Sequence, residues 1–269
     1  MSEFQTAKHR PHRFFVTPES IRRGQVTIDG QQAHQIVNVL RLGAGERIVI
    51  LDNSGWQYDV EIASAQDGEV SCQVRAKSLV STEPRTKITL YQGLLRPNAF
   101  EFVLQKCTEL GVAAFVPVIT ERCVVGNIED TKPAKMDRWR RIIAEAAEQS
   151  GRGKVPALRP ATLFQQACEE VRGTSLIAWE SVKDKSVRTV LGREGIMPDG
   201  NDGESIPRPF TVNLFVGPEG GFSAAEVQAA RAYGIQAVGL GARILRAETA
   251  AVVATSLTLY EVGDMEPRP

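Results

Sequence analysis

A small β-barrel followed by an α/β domain is the fold this chain predicts, and three observations predict it. The first 80 residues alternate apolar and polar side chains with the period-two rhythm of half-buried strands. After residue 85, apolar runs alternate with helical periodicity, which is the grammar of a largely parallel sheet with covering helices. The chain has 269 residues, 42% hydrophobic and 24% charged, enough for one large domain or two modest ones with proper cores. That balance excludes wholesale disorder.

In the first block Val26 and Ile28, Ile48 and Ile50, then Trp56, Tyr58, Val60 and Ile62, then Val70, Cys72 and Val74 mark the strands. Gly43-Ala44-Gly45 and Asp67-Gly68 supply turns. Ala33, Ile36, Val37 and Leu40 share one face of a helix over Gln31–Leu40. Short strands this closely spaced suggest a barrel over residues 1–80. Ser81–Arg85 reads as a linker, because Pro84 cannot donate to a ladder, and the second domain is set at residues 85–269. Its first strand is Lys87–Gly93. A helix follows from Asn98, with Asn98 and Glu101 at capping-box spacing and Gly111 as its stop. Ala99, Phe102, Val103, Cys107 and Leu110 form its expected buried stripe. After the strand Ala113–Ile119, a second helix, Asp137–Ser150, turns Trp139, Ile143, Ala146 and Ala147 inward and stops at Gly151. Ser175–Trp179 is a further strand. Lys183–Pro209, rich in Gly, Pro and charge, reads as a long flexible surface loop after a helical turn.

Composition narrows the function classes. The longest uncharged run, Thr249–Tyr260, falls well short of the roughly 18 apolar residues a membrane span needs. Residues 1–12 are polar and make no secretory signal. Cys72, Cys107, Cys123 and Cys168 are scattered without a CxxC pair, which argues against a zinc knuckle or a redox pair and fits reduced thiols in a cytoplasm; no metal is expected. The histidines are His9, His12 and His34, so chemistry farther along the chain must proceed without imidazole. Net charge is zero, yet residues 86–160 are net basic and residues 161–269 net acidic. A basic middle fits an anionic partner, and equally an ordinary solvated face.

Two segments concentrate the chemistry. In Leu214–Glu226 an apolar strand runs into Gly217-Pro218-Glu219-Gly220-Gly221, and then into a helix opened by Ser223 and Glu226 at capping-box spacing. Glycines at a strand's carboxyl end bare the backbone to a flat ligand, where ligands favour such sheets. A tight turn needing positive φ angles is the competing reading. Neither a phosphate loop nor a dinucleotide fingerprint fits. In Val238–Ala250 the strand Ala237–Leu240 meets Gly241 and a compact Arg243-Ile244-Leu245-Arg246 element. Glu248 and Thr249 then lead an apolar helix, Ala250–Tyr260, with too many apolar groups for one stripe. Arg246, set between an apolar turn and a buried helix, calls for an anionic partner: substrate phosphate, Glu248 or Glu219.

The two segments, FVGPEGGFSAAE and LGARILRAETA, resemble the ribosomal small-subunit RNA methyltransferase E family, of the SPOUT class of knotted methyltransferases. His34 through Leu40-Arg41-Leu42-Gly43, Lys106–Val112, Glu121-Arg122-Cys123 and Glu148–Arg152 are similar to its other motifs, in the same order, so the resemblance covers nearly the whole chain. Only Lys183–Pro209 departs from the pattern. The resemblance implies a PUA-like RNA-binding barrel, then an α/β domain with a trefoil knot on its C-terminal side. It implies a homodimer, S-adenosyl-L-methionine as methyl donor, and N3 of a uridine in 16S rRNA of the small ribosomal subunit as acceptor. Gly217, Pro218, Glu219 and Gly220 would line one side of the cofactor. Leu240, Gly241, Ile244, Leu245, Arg246, Thr249 and Ala250 would form the knotted wall around it. Arg246 is then the candidate to stabilise charge on the uracil, and Glu219 the candidate to accept its proton. Arg13, Arg22, Arg41, Lys106, Arg122 and Arg152 are the candidate RNA contacts. A non-catalytic RNA-binding or ribosome-assembly module is the alternative, and the pair of glycine turns, which mere binding does not need, separates the two.

Overall fold

The computed structural model describes residues 11–66, 68–124, 132–191 and 211–266. They form two compact units: Met1–Glu83 with Ala147–Lys154, and Pro84–Ala146 with Val155–Pro269. Residues 147–154 thus group with the first unit, whereas the linker reading divides the chain into consecutive blocks.

The first unit is a six-stranded sheet of β1 (Arg13–Phe15), β2 (Ile21–Arg22), β3 (Gln25–Asp29), β4 (Arg47–Leu51), β5 (Trp56–Gln66) and β6 (Glu69–Leu79). The strand order is β1-β4-β5-β6-β3-β2, with β1 parallel to β4 and every other pair antiparallel. Among the described residues β1 and β2 do not pair, so the ladder has two free ends where a closed barrel has none. It still wraps one core. Register shifts near Val60 and Ile62 bend the long β5–β6 pair, and Phe14, Val26, Ile28, Ile48, Ile50, Val60, Val70 and Cys72 pack together. The expected helix is present as α1 (Gly30–His34) and continues into a wider turn over Gln35–Val39. There the Leu40 N–H reaches back five residues to the Gln35 carbonyl at 2.9 Å. Ala33 and Ile36 point into the core, as the periodicity requires.

A buried ion pair closes this unit. Arg152 is 4% exposed, and its Nη2 and Nε donate to the Glu83 carboxylate at 2.9 and 3.2 Å. The Gly153 and Lys154 N–H groups donate to the same carboxylate at 3.0 and 3.2 Å. Burial works to raise the Glu83 pKa, but Arg152 and these two N–H donors outweigh it and hold the carboxyl below its ordinary value. Arg152 is therefore committed to a structural bond and is not presented to RNA. The sequence reading placed it among exposed cations because nothing local reveals that Glu83 meets it.

The second unit is built on an all-parallel sheet of β7 (Lys87–Gly93), β8 (Ala114–Ile119), β9 (Ala157–Leu158), β10 (Thr162–Leu163), β11 (Thr174–Ala178), β12 (Thr211–Val216) and β13 (Gln236–Val238). The order is β10-β8-β7-β12-β11-β13, with β9 also on β8. Its helices are α2 (Pro97–Leu110), α3 (Pro133–Ser150), α4 (Phe164–Glu170), α5 (Val187–Leu191), α6 (Ala224–Ala232) and α7 (Ala247–Glu261). Both sheet faces are covered, which is why the strands read as continuous apolar runs. Leu90, Leu176 and Leu214 share a core with side chains of α2, α3, α5 and α7. Their neighbours Tyr91, Ile177 and Phe215 share the opposite core with α4 and α6. Tyr91 and Phe215 stack at 4.4 Å across adjacent strands.

Three details differ from the sequence reading. Helix α2 starts at Pro97, with Arg96 as N-cap and no side-chain cap; Glu101 instead takes the Arg138 guanidinium at 2.6 and 2.8 Å. The buried stripe is accordingly Phe100, Val103, Leu104, Cys107 and Thr108, and Phe102 lies 45% exposed. The short elements β9, β10 and α4 give too few residues for a period to register. Of the Lys183–Pro209 segment, α5 supplies the expected helical turn, and residues 192–210 lie outside the described residues.

Candidate functional site

Strands β7, β12, β11 and β13 lie side by side and parallel, so their carboxyl ends bring the following turns to one edge of the sheet. The turn after β12 is the Gly217–Gly221 segment. Its Pro218 carbonyl accepts the Gly221 N–H at 2.9 Å, and Gly221 has φ +66°. Gly217 and Gly220 have no positive φ, so left-handed strain explains only the last glycine. Gly220 is needed for space: a Cβ there would lie 3.0 Å from the Arg122 Cβ and 3.2 Å from its carbonyl oxygen. Ser223 and Glu226 form the expected capping box at 3.2 and 2.8 Å, opening α6.

Side chains hold this turn from outside. The Glu219 carboxylate accepts the N–H of Arg96, the N-cap of α2, at 3.0 Å, the bond that an N3 glutamate supplies in a capping box. Arg122 Nη1 donates to the Gly220 carbonyl at 3.2 Å, and the Glu121 N–H to Glu226 Oε1 at 2.8 Å.

The second turn leaves β13. The Trp179 N–H donates to the Val238 carbonyl at 3.0 Å, and the Gly239 N–H to the Lys185 carbonyl at 2.8 Å. A Cβ on Gly239 would fall 2.4 Å from the Val182 carbonyl oxygen, so only glycine passes there. Gly241, at φ +113°, turns the chain into Arg243–Arg246. Helix α7 then starts at Ala247, three residues before the position read from the sequence, which puts Glu248 in its first turn, where a carboxylate suits the dipole.

Between the two turns lies a cavity of about 640 Å³. Of the residues expected around a cofactor, Gly217, Pro218, Glu219, Gly220, Leu240, Gly241, Ile244, Leu245, Arg246 and Ala250 line it; Thr249 does not. Thr249 is exposed on the next step round α7. The sequence reading missed Arg96, Trp179, Glu180, Arg243 and Glu248 on the cavity wall. Trp179 and Glu180 follow β11, so the rule that ligands sit at strand carboxyl ends would have found them.

Arg246 is exposed and, among the described residues, forms no ion pair. Burial therefore does not compel Arg246 to find an anionic partner, contrary to the expectation from sequence: water reaches it, and its guanidinium is available at the cavity rim. Ile244 beside it is 88% exposed. Among the candidate RNA contacts, Arg22 and Arg41 are exposed, while Arg13 donates to the Gly151 carbonyl and Gln57 and Lys106 pairs with Glu109. Arg122 is turned onto Gly220. Replacing Gly220 with valine is expected to weaken ligand binding in this cavity at least about a hundredfold, since the branched side chain meets Arg122 on one side and enters the cavity on the other. Calorimetric titration of the folded variant checks this.

The comparisons bear on both units. The chain matches a family model described as an RNA methyltransferase domain over residues 82–259, and one described as an RNA methyltransferase PUA domain over residues 28–75. Ribosomal RNA small subunit methyltransferase E of Bacillus subtilis is 32% identical over 237 residues, covering 87% of this chain and 90% of that protein. Its counterpart from Synechocystis is 35% identical over 243 residues, covering 90% and 75%. Among solved structures, a putative methyltransferase from Legionella pneumophila with bound SAM superposes with a TM-score of 0.82 at 29% identity, covering 94% of this chain and 98% of that one. The methyltransferase E of Neisseria gonorrhoeae, bound to S-adenosyl methionine, gives 0.78 at 30% identity, covering 93% and 98%. Likeness of this length takes in the glycine turns and the fold that brings them together, and the chain belongs to the ribosomal RNA small subunit methyltransferase E family.

Proposed function

We propose that this protein is an S-adenosyl-L-methionine-dependent methyltransferase that modifies N3 of a uridine in 16S rRNA of the small ribosomal subunit. The observation that carries the reading is the single cavity into which both glycine turns fold. Its volume lies within the roughly 300–1,000 Å³ of small-molecule sites. The bare backbone at Gly217, Gly220 and Gly241 suits a flat adenosyl group, with the carboxylates of Glu180 and Glu248 at hand for hydroxyl or ammonium groups. When bound, the donor supplies an electrophilic methyl group. The protein's residues must then orient the uracil and manage the N3 proton. Glu219 offers one carboxylate oxygen to the Arg96 N–H, and its other oxygen has no partner among the described residues and can accept that proton. Arg246, exposed at the rim, stabilises negative charge developing on the uracil oxygens. A non-catalytic RNA-binding module has no use for such a cavity and is the weaker reading.

A methyl-transfer assay with labelled donor and 16S rRNA, followed by nucleoside mass spectrometry, tests this. 3-Methyluridine is the expected product, and absence of saturable donor binding would refute the reading. In the first unit, Arg41→Glu is expected to weaken RNA binding about tenfold and to flatten its salt dependence by roughly one phosphate contact, as filter binding across a salt series reads it.

The proposal extends to a trefoil knot, a homodimer and a cytoplasmic location. The knot is supported by the close passage of Gly239 against Val182 and Lys185 before α7 turns back onto the sheet. For the dimer, α7 buries Ala247, Ala251, Ala254, Thr255, Thr258 and Leu259 within its own unit, leaving Val252, Val253 and Leu257 half-buried and Tyr260 63% exposed. Burying a side chain such as Leu257 is worth about 1.5–3 kcal/mol, which a second copy would recover. Leu257→Glu is expected to yield monomers with weakened donor binding, and sedimentation equilibrium reads the mass.

A further inference from the structure

We propose that Gln92 and Arg122 are positioning residues for the methyl donor, each clamping one carbonyl of the glycine turn without lining the cavity. The inference rests on the reading of that cavity as the donor site. The ladder between β7 and β12 ends at the pair Gln92–Val216. Past it, one buried side chain takes over. Gln92 is 1% exposed, and its Nε2 lies 3.2 Å from the Gly93 carbonyl, 3.4 Å from that of Val216 and 3.2 Å from that of Gly217. Three acceptors around one amide nitrogen fix which way the amide faces. Its Oε1 is left buried with no hydrogen-bond partner among the described residues. Leaving an acceptor buried and unpaired is costly. The amide is thus oriented for the carbonyls at the expense of its own oxygen. It turns the Gly217 carbonyl into the protein and fixes the peptide that joins Gly217 to Pro218.

Arg122 secures the other end. Its Nη1 donates to the Gly220 carbonyl at 3.2 Å, and the adjacent Glu121 N–H is tied to Glu226 at 2.8 Å, which anchors the loop that carries it. Gly217, Gly220 and Gly221 each have more backbone freedom to lose than another residue would have in their place. Donor binding would bear that loss unless the turn were already held in place. Two clamps, one on each end, hold it. Arg122 then serves the donor loop rather than RNA.

The test uses the full chain and the donor analogue S-adenosylhomocysteine, titrated calorimetrically without RNA, with steady-state kinetics alongside. Gln92→Met and Arg122→Met keep the apolar stems and remove the donors. Each is expected to weaken analogue binding about tenfold and to raise the donor KM by the same factor, with the RNA KM unchanged. Arg122→Lys, which retains an N–H donor, should recover much of the loss. Purely structural damage would instead lower the active fraction, and with it kcat, at unchanged KM; that result overturns the proposal. So does analogue binding equal to wild type, or an Arg122 effect confined to the RNA KM. If the unmodified chain itself fails to bind the analogue, the donor-site reading falls first and the clamps with it.

Discussion

Glu83→Ala should cost the protein about 3–5 kcal/mol, because it takes the carboxylate away from the Arg152 guanidinium, which is 4% exposed. The Gly153 and Lys154 N–H groups lose the same acceptor. Urea unfolding, followed by tryptophan fluorescence, reads the difference. The bond also predicts a pH dependence. The Glu83 pKa is lowered on folding from an ordinary 4.5, so its stabilisation is fully present above that value. It is lost as pH falls through the lower folded pKa. Wild type should therefore lose stability in acid more steeply than the alanine variant, and the two curves should converge at the acid end. Parallel curves from neutral pH into acid would show that the carboxylate contributes nothing.

Gly93→Ala is expected to abolish measurable donor binding, though a single methyl is added outside the cavity. A Cβ on Gly93 would sit 2.6 Å from the Pro218 nitrogen, 2.7 Å from its Cδ and 2.9 Å from the Gly217 carbonyl carbon. These are backbone and ring atoms that cannot rotate away, so the β12 turn must move off the end of β7. Overpacking of this kind costs about 1–3 kcal/mol in stability. The larger consequence falls on the site, where displacement by a fraction of an ångström spoils a preorganised turn. Donor titration of the folded variant measures it; wild-type affinity would mean that the Gly217–Pro218 peptide does not shape the cavity.

Much of the cavity was legible because its residues are contiguous. Gly217–Gly220 and Leu240–Arg246 are two short runs, each at a strand's end, and strand ends and glycines both leave local marks. Trp179 and Glu180 escaped because β11 shows only its apolar period, with no glycine to mark the turn beyond it. The misplaced stripe on α2 has a different origin. Asn98 and Glu101 have the spacing of a capping box, but Pro97 starts the helix a residue earlier and Glu219, from a turn more than a hundred residues away, takes the N-cap N–H.

By itself the sequence determined the longer strands and helices, the parallel character of the second sheet, and the two glycine turns at strand ends. Period, proline and glycine act within a few residues, and those signals survive in one dimension. Only the tertiary structure decided what the charges do. Arg152 is buried against Glu83, Arg122 holds Gly220, and Arg246 stands exposed with no ion pair among the described residues. The energy of a charge depends on burial and on partners distant in sequence, so a cation in a motif does not declare whether it supports the fold, the site or the substrate.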